Sequence, residues 1–127
     1  MNKKVIITII LMIMLTVSLI LFSTGGKIAG IFLNDYSVSE DENTMTLRVG
    51  VASSMGYVRT LKERQEENKK YITFYSTYGL NSKLGSNNEF QIDLNPSINE
   101  IYFYRGEEGY VLILQKNDES KKWQLVR

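Results

Sequence analysis

Beyond residue 27 the apolar positions recur every second residue. Met45, Leu47, Val49 and Val51 alternate with Thr46, Arg48 and Gly50, the period of a half-buried strand. Phe90, Ile92 and Leu94 alternate in the same way with Glu89, Gln91 and Asp93. Further strand signals lie in IAGIFL (28–33), YVRTLKERQ (57–65), KYITFYSTY (70–78), EIYFYR (100–105) and YVLILQK (110–116), with a short one at Trp123–Val126. Turn chemistry separates them: SEDENT (39–44), Ser53–Gly56, GLNSKLGSNN (79–88), Asn95-Pro96, Gly106–Gly109 and NDESKK (117–122). LKERQEENKK (61–70) is rich in helix formers but has one apolar residue in ten. It cannot bury a helix face, so it reads as the solvated end of a strand and a charged turn. Seven or eight strands in about 100 residues predict an all-β domain over 27–127. The expected form is an antiparallel β-sandwich, immunoglobulin-like in architecture, or a small barrel.

The first 26 residues follow a different rule. Val5 to Phe22 runs without a charge between Lys4 and Lys27. Its only polar members are Thr8, Thr16 and Ser18, so the helix it predicts has no polar stripe and suits lipid. Eighteen residues rise about 27 Å against a hydrocarbon core of about 30 Å. The segment 1–26 is therefore expected to be a transmembrane anchor. The alternative is a signal sequence cut near Ser23-Thr24-Gly25, although the apolar run exceeds the usual signal length. Lys3 and Lys4 hold the N-terminus in the cytoplasm and direct the remainder outward.

Charge and missing residue types narrow the chemistry. The 127 residues carry a net +1; setting aside Lys3 and Lys4 leaves 13 basic against 14 acidic residues. That balance argues against a nucleic-acid partner. There is no Cys and no His. Disulfides, thiol chemistry, His-based nucleophilic triads and the usual zinc sites are excluded, and no cofactor is implied. An exported domain without disulfides fits bacteria better than animals. Gly79 and Gly85 have the glycine spacing of a phosphate loop, but the Lys-Ser/Thr pair and the helix are missing.

Paired carboxylates are the remaining catalytic option, from Asp93, Glu100, Glu107 and Glu108. Glu107 and Glu108 fall on a hairpin tip, where a raised pKa is not expected, so the chain is read as a non-enzyme. Asp35, Glu40, Asp41 and Glu42 lack calcium-loop spacing and read as a solvated turn. The 79–88 loop reads as a crossover between strands.

The aromatics offer the one candidate surface. In the hairpin at 101–114, a two-residue tip bracketed by Gly106 and Gly109 places Arg105 opposite Tyr110, Phe103 opposite Leu112 and Ile101 opposite Leu114. Ile101, Phe103, Leu112 and Leu114 then form the core face, with Tyr102, Tyr104, Val111 and Ile113 opposite. In YITFYSTYG (71–79), Ile72 and Phe74 point inward while Tyr71 and Tyr75 point outward. Tyr71, Tyr75, Tyr102 and Tyr104 are the candidate ligand-binding residues, if their strands are neighbours. Tyrosine combines a rigid apolar body with a polar tip and suits sugar or peptide. Strand propensity alone also explains tyrosines here.

SSMGYVRTLK, KYITFYSTYGLNSKLG, EFQIDL and INEIYFYRGEEGYVLILQK together resemble small membrane-anchored extracytoplasmic β-domain proteins of Gram-positive bacteria. The likeness covers most of 45–116. It implies an envelope location and a β-fold, and carries no activity or site residue. The expectation is a single-pass protein whose exported domain binds a cell-wall component or an envelope protein. The alternative is a secreted inhibitor or immunity-type protein that blocks a surface hydrolase.

Overall fold

The computed structural model describes residues 2–21, 24–51, 57–77 and 86–126. One helix, α1 (Lys3–Leu21), precedes nine strands: β1 (Thr24–Ile28), β2 (Ile31–Val38), β3 (Thr44–Val51), β4 (Val58–Glu66), β5 (Lys69–Thr77), β6 (Glu89–Asp93), β7 (Glu100–Tyr104), β8 (Tyr110–Lys116) and β9 (Trp123–Leu125).

The strands form two sheets. The smaller has the order β2-β3-β6; the larger runs β1-β5-β7-β8-β9, with β4 also paired to β5. β5 therefore has three partners. β4 lines one edge almost throughout, from Val58↔Ser76 to Glu66↔Lys69. The other edge is shared end to end. β7 pairs in parallel from Lys69↔Glu100 to Ile72↔Phe103, and β1 pairs antiparallel from Ile28↔Phe74 to Thr24↔Thr77.

This arrangement extends and corrects the sequence reading. The protein is mostly β, with nine strands among the described residues rather than seven or eight, and one neighbouring pair of these is parallel. The six-plus-three division differs from the four-plus-three of a constant-type immunoglobulin sandwich. β1 was not expected because TGGKI carries two glycines and no alternation. It brings the larger sheet into the stretch assigned to the anchor. The proposed turn at Ser53–Gly56 and most of the 79–88 loop lie outside the described residues.

The core lies between the sheets. Met45, Leu47 and Val49 of β3, Ile92 of β6, Ile72 and Phe74 of β5, and Ile101 and Phe103 of β7 are all buried. Met45 pairs with Ile92 and Leu47 with Phe90, as the two alternating runs require. Phe74 meets Phe103 edge-on at 4.9 Å and Phe90 of the smaller sheet at 5.9 Å. At one end, Lys70 is 5% exposed; its ammonium bonds the Glu63 carboxylate at 2.7 Å and the Asp93 carbonyl of the smaller sheet. Elsewhere, Tyr36 donates across the sheets to the Trp123 carbonyl at 2.9 Å.

The β7–β8 hairpin takes another register than the two-residue tip predicts. A 3-10 turn at Gly106–Glu108 closes it, with Arg105 N–H donating to the Gly109 carbonyl. Tyr104, not Arg105, pairs with Tyr110, and Tyr102, not Phe103, pairs with Leu112. A register shift between Ile101 and Tyr102 restores the expected Ile101↔Leu114 pair. It lets the consecutive Ile113 and Leu114 both be buried, while Leu112 is half-buried. A bulge of this kind cannot be read from alternation. Arg105 turns away from Tyr110 to the Ala29 and Ile31 carbonyls. Burial pushes its guanidinium below the usual value, though it remains charged.

α1 starts where the Asn2 carboxamide accepts the Lys4 N–H at 3.0 Å, and it runs for 19 residues. Thr8 and Thr16 donate to the carbonyls of Lys4 and Met12, each at 2.9 Å, so the helix satisfies both hydroxyls itself. Its large apolar side chains from Val5 to Leu19 are 42–66% exposed. The expected transmembrane segment is found as a helix. Among the described residues no helix is long and apolar enough to cross a membrane. Its nineteen residues rise about 28 Å.

Candidate functional site

The parallel pairing of β5 with β7 answers whether the tyrosine strands are neighbours. Tyr71 and Tyr102 are directly opposed. Their rings stack with centroids 5.0 Å apart. Tyr110 meets Tyr71 edge-on at 5.2 Å and Tyr104 edge-on at 5.8 Å. These four rings make a continuous cluster on the outer face of the larger sheet. Tyr75 shares that face at the far end of β5, opposite Lys27 and Thr60. The four candidates thus occupy one face, and Tyr110 belongs with them.

The rings are not open. The Arg64 guanidinium lies 4.4 Å from the Tyr71 ring centre and 5.7 Å from that of Tyr110. Lys27 stands over Tyr104 at 5.4 Å, Lys62 over Tyr75 at 5.1 Å and Lys69 over Tyr102 at 5.9 Å. Each cation is attracted to the negative face of an aromatic ring. The surface therefore presents positive charges held on an aromatic base, rather than bare rings for stacking.

Among the described residues two acidic groups bond within this face. Glu66 pairs with Arg64. Glu100 accepts the Tyr102 hydroxyl at 3.0 Å. Burial, and then the Glu100 carboxylate, push the Tyr102 phenol above its ordinary value of 10.0. Among the described residues Lys27, Lys62 and Lys69 have no carboxylate within 4.0 Å. Below the rings, the buried Thr73 hydroxyl shares a 2.7 Å hydrogen bond with Tyr110.

The cations follow from the chain's local rules. Glu66↔Lys69 closes the β4–β5 hairpin around Glu67 and Asn68. Folding about that turn sets Arg64 opposite Tyr71 and Lys62 opposite Thr73. The hairpin was legible in LKERQEENKK, so these two partners could have been found by counting outward from it. Lys27 and Lys69 needed the β1 and β7 pairings, and Tyr110 needed the corrected register.

Among the described residues, no group of three or more His, Cys, Asp or Glu is placed to hold a metal ion. In the acidic turn, Asp41 accepts the Ser39 hydroxyl at 2.5 Å and the Asn43 N–H at 3.0 Å. These bonds hold its carboxyl below the usual value. Glu107 and Glu108 are exposed on the 3-10 turn. No protein-family model matches the chain, and neither a curated protein nor a solved structure is significantly similar to it.

Proposed function

We propose that this chain is a membrane-anchored extracytoplasmic binding module, and that its binding surface is the outer face of the larger sheet. The observation that carries the reading is the set of cations, Lys27, Lys62, Arg64 and Lys69, standing over tyrosine rings. A surface of this kind favours an anionic envelope component, such as a charged wall polymer. Charge complementarity gives the attraction, and the tyrosines restrict where the cations sit.

The anchor rests on the uncharged run from Val5 to Phe22, whose described side chains are exposed. Lys3 and Lys4 set its orientation. The alternative, cleavage near Gly25, would sever β1 within its pairing to β5.

Two measurements test the reading separately. An anchored protein stays with membranes through alkaline and high-salt washing; release into the supernatant would overturn the anchor. Binding is read by titrating the full chain with solubilised wall fragments. The Lys27→Gln, Lys62→Gln, Arg64→Gln, Lys69→Gln variant is expected to lose at least about tenfold in affinity, and wild-type binding should weaken with salt. Unchanged affinity in that variant would remove the larger sheet's face from the function.

A further inference from the structure

A second concave site lies at the opposite margin of the larger sheet, where its last strand meets the edge of the smaller one. Tyr36 and Val38 of β2 and Trp123 of β9 line a cavity of about 190 Å³. Lys116, Lys121 and Lys122 line it with them, as does Glu42. The lining therefore combines an aromatic and aliphatic wall with three ammonium groups and one carboxylate. Among the described residues none of the three lysines has a carboxylate within 4.0 Å.

The loops that carry these charges are held in definite shapes. Among the described residues three non-glycine residues have a left-handed backbone, and two of them, Glu42 (φ 62) and Lys121 (φ 61), line this cavity. That conformation is costly for a residue with a Cβ and persists where its surroundings enforce it. Here the enforcement is visible. The Asn117 carboxamide accepts the N–H groups of Glu119 and Ser120, each at 2.9 Å, and Lys121 N–H donates to the Asn117 carbonyl at 2.8 Å. Across the cavity, Glu42 N–H donates to the Ser39 carbonyl at 2.9 Å. Asp118 and Glu119 belong to the same turn but do not line the cavity.

We infer that this cavity binds a small organic anion, a phosphate or carboxylate carried on one ring-sized body. The ring packs against Trp123 and Tyr36, and the anionic group meets the lysines. Three lysines against one glutamate select a negative ligand, and the cavity has room for about one ring. The site is separate from the tyrosine face and does not depend on it.

Trp123 is the chain's single tryptophan, so its fluorescence reports the cavity directly. The full chain in detergent micelles is titrated with phenyl phosphate, with benzyl alcohol as the neutral counterpart and with inorganic phosphate. Phenyl phosphate is expected to shift the emission saturably, with a dissociation constant of about 1 mM or tighter. Each of the other two probes is expected to bind at least about tenfold more weakly. The Lys121→Gln, Lys122→Gln variant should weaken phenyl phosphate by about tenfold, and the Arg64→Gln, Lys69→Gln variant should not. The inference is overturned by a signal that does not saturate. It is also overturned by benzyl alcohol binding as well as phenyl phosphate, by no effect of the cavity-lysine variant, or by loss of the signal in the tyrosine-face variant.

Discussion

The two outward faces of this protein are built from the same strand pattern and carry different surfaces. On the smaller sheet Arg48 lies between Asp35 at 3.7 Å and Glu89 at 2.9 Å, so its charge is answered by neighbouring carboxylates. Thr46 pairs with Gln91 and Ser37 beside it, and Gly50 lies under Phe32. On the larger sheet the equivalent positions hold Tyr71, Tyr102, Tyr104 and Tyr110. There the cations stand over rings, and three of the four lack a carboxylate partner among the described residues. Alternation dictates that a face turns outward; it does not dictate whether that face is neutralised. The smaller sheet satisfies its own charge, while the larger leaves positive charge available to a partner.

The strongest way to break this comparison is to remove the ring at its centre. Tyr71 touches Tyr102, Tyr110 and Arg64. Tyr71→Ala is expected to destabilise the protein by about 2–3 kcal/mol, from lost apolar burial plus about 0.5–1.5 kcal/mol for each aromatic pair. Thr46→Ala on the other face should stay within about 0.5 kcal/mol of the parent. A double-mutant cycle of Tyr71→Ala with Tyr102→Ala, read by denaturant unfolding, should give a coupling of about 1 kcal/mol. Additive losses would mean that the stacked pair is only proximity.

How far the sequence revealed this contrast depends on which strand is asked. The alternating runs of β3 and β6 gave the smaller sheet's buried side directly, because Met45, Leu47, Ile92 and Leu94 obey a strict period of two. Tyr71 and Tyr75 could be turned outward by the same rule. Their meeting with Tyr102 could not be read, because a parallel pairing of β5 and β7 leaves no turn between them to count from. The shift beside Ile101 likewise hid Tyr110, since one extra residue reverses every later side chain. Long-range pairing and bulges are set by whole-core packing, and local alternation is silent about both.

Gly50 tests the smaller sheet from the opposite direction. A Cβ there would approach the tip of the Phe32 ring at 2.7 Å, and Phe32 is 43% exposed. The ring can swing into solvent, so Gly50→Ala should cost no more than about 1 kcal/mol, reduced by alanine's lower chain entropy. Thermal unfolding reads the difference. A loss of several kcal/mol would show that Phe32 is fixed by more than its contact with Gly50.

A finer probe uses the raised Tyr102 phenol. A phenol whose folded pKa is raised contributes stability that is fully present below its unfolded value, near 10.0, and is lost as pH rises through the folded value. The unfolded state ionises first and gains the advantage. Tyr102→Phe should cost about 0.5–1.5 kcal/mol at neutral pH through the missing Glu100 hydrogen bond. It should also remove part of the stability loss above pH 10.0. Stability measured against pH for both proteins decides it; identical alkaline limbs would mean that this phenol ionises alike in both states.

The smallest expected effect sharpens the comparison most. Arg48 is exposed, and its hydrogen bond to Glu89 and then the charges of Glu89 and Asp35 raise its pKa. Surface ion pairs of this kind add little, because water and salt screen them and two long side chains must be ordered. Arg48→Gln should therefore leave the unfolding midpoint and the binding of wall fragments unchanged. Its charge is already answered within the protein, so a partner gains nothing from it. Arg64→Gln removes the same charge from the other face and should weaken that binding, even though Arg64 also has a carboxylate neighbour, Glu66. What separates the two arginines is the aromatic base: Tyr71 lies 4.4 Å beneath Arg64, and Arg48 has carboxylates on both sides. Equal effects of the two substitutions would reduce the contrast between the faces to net charge alone, and the tyrosines would then contribute stability rather than recognition.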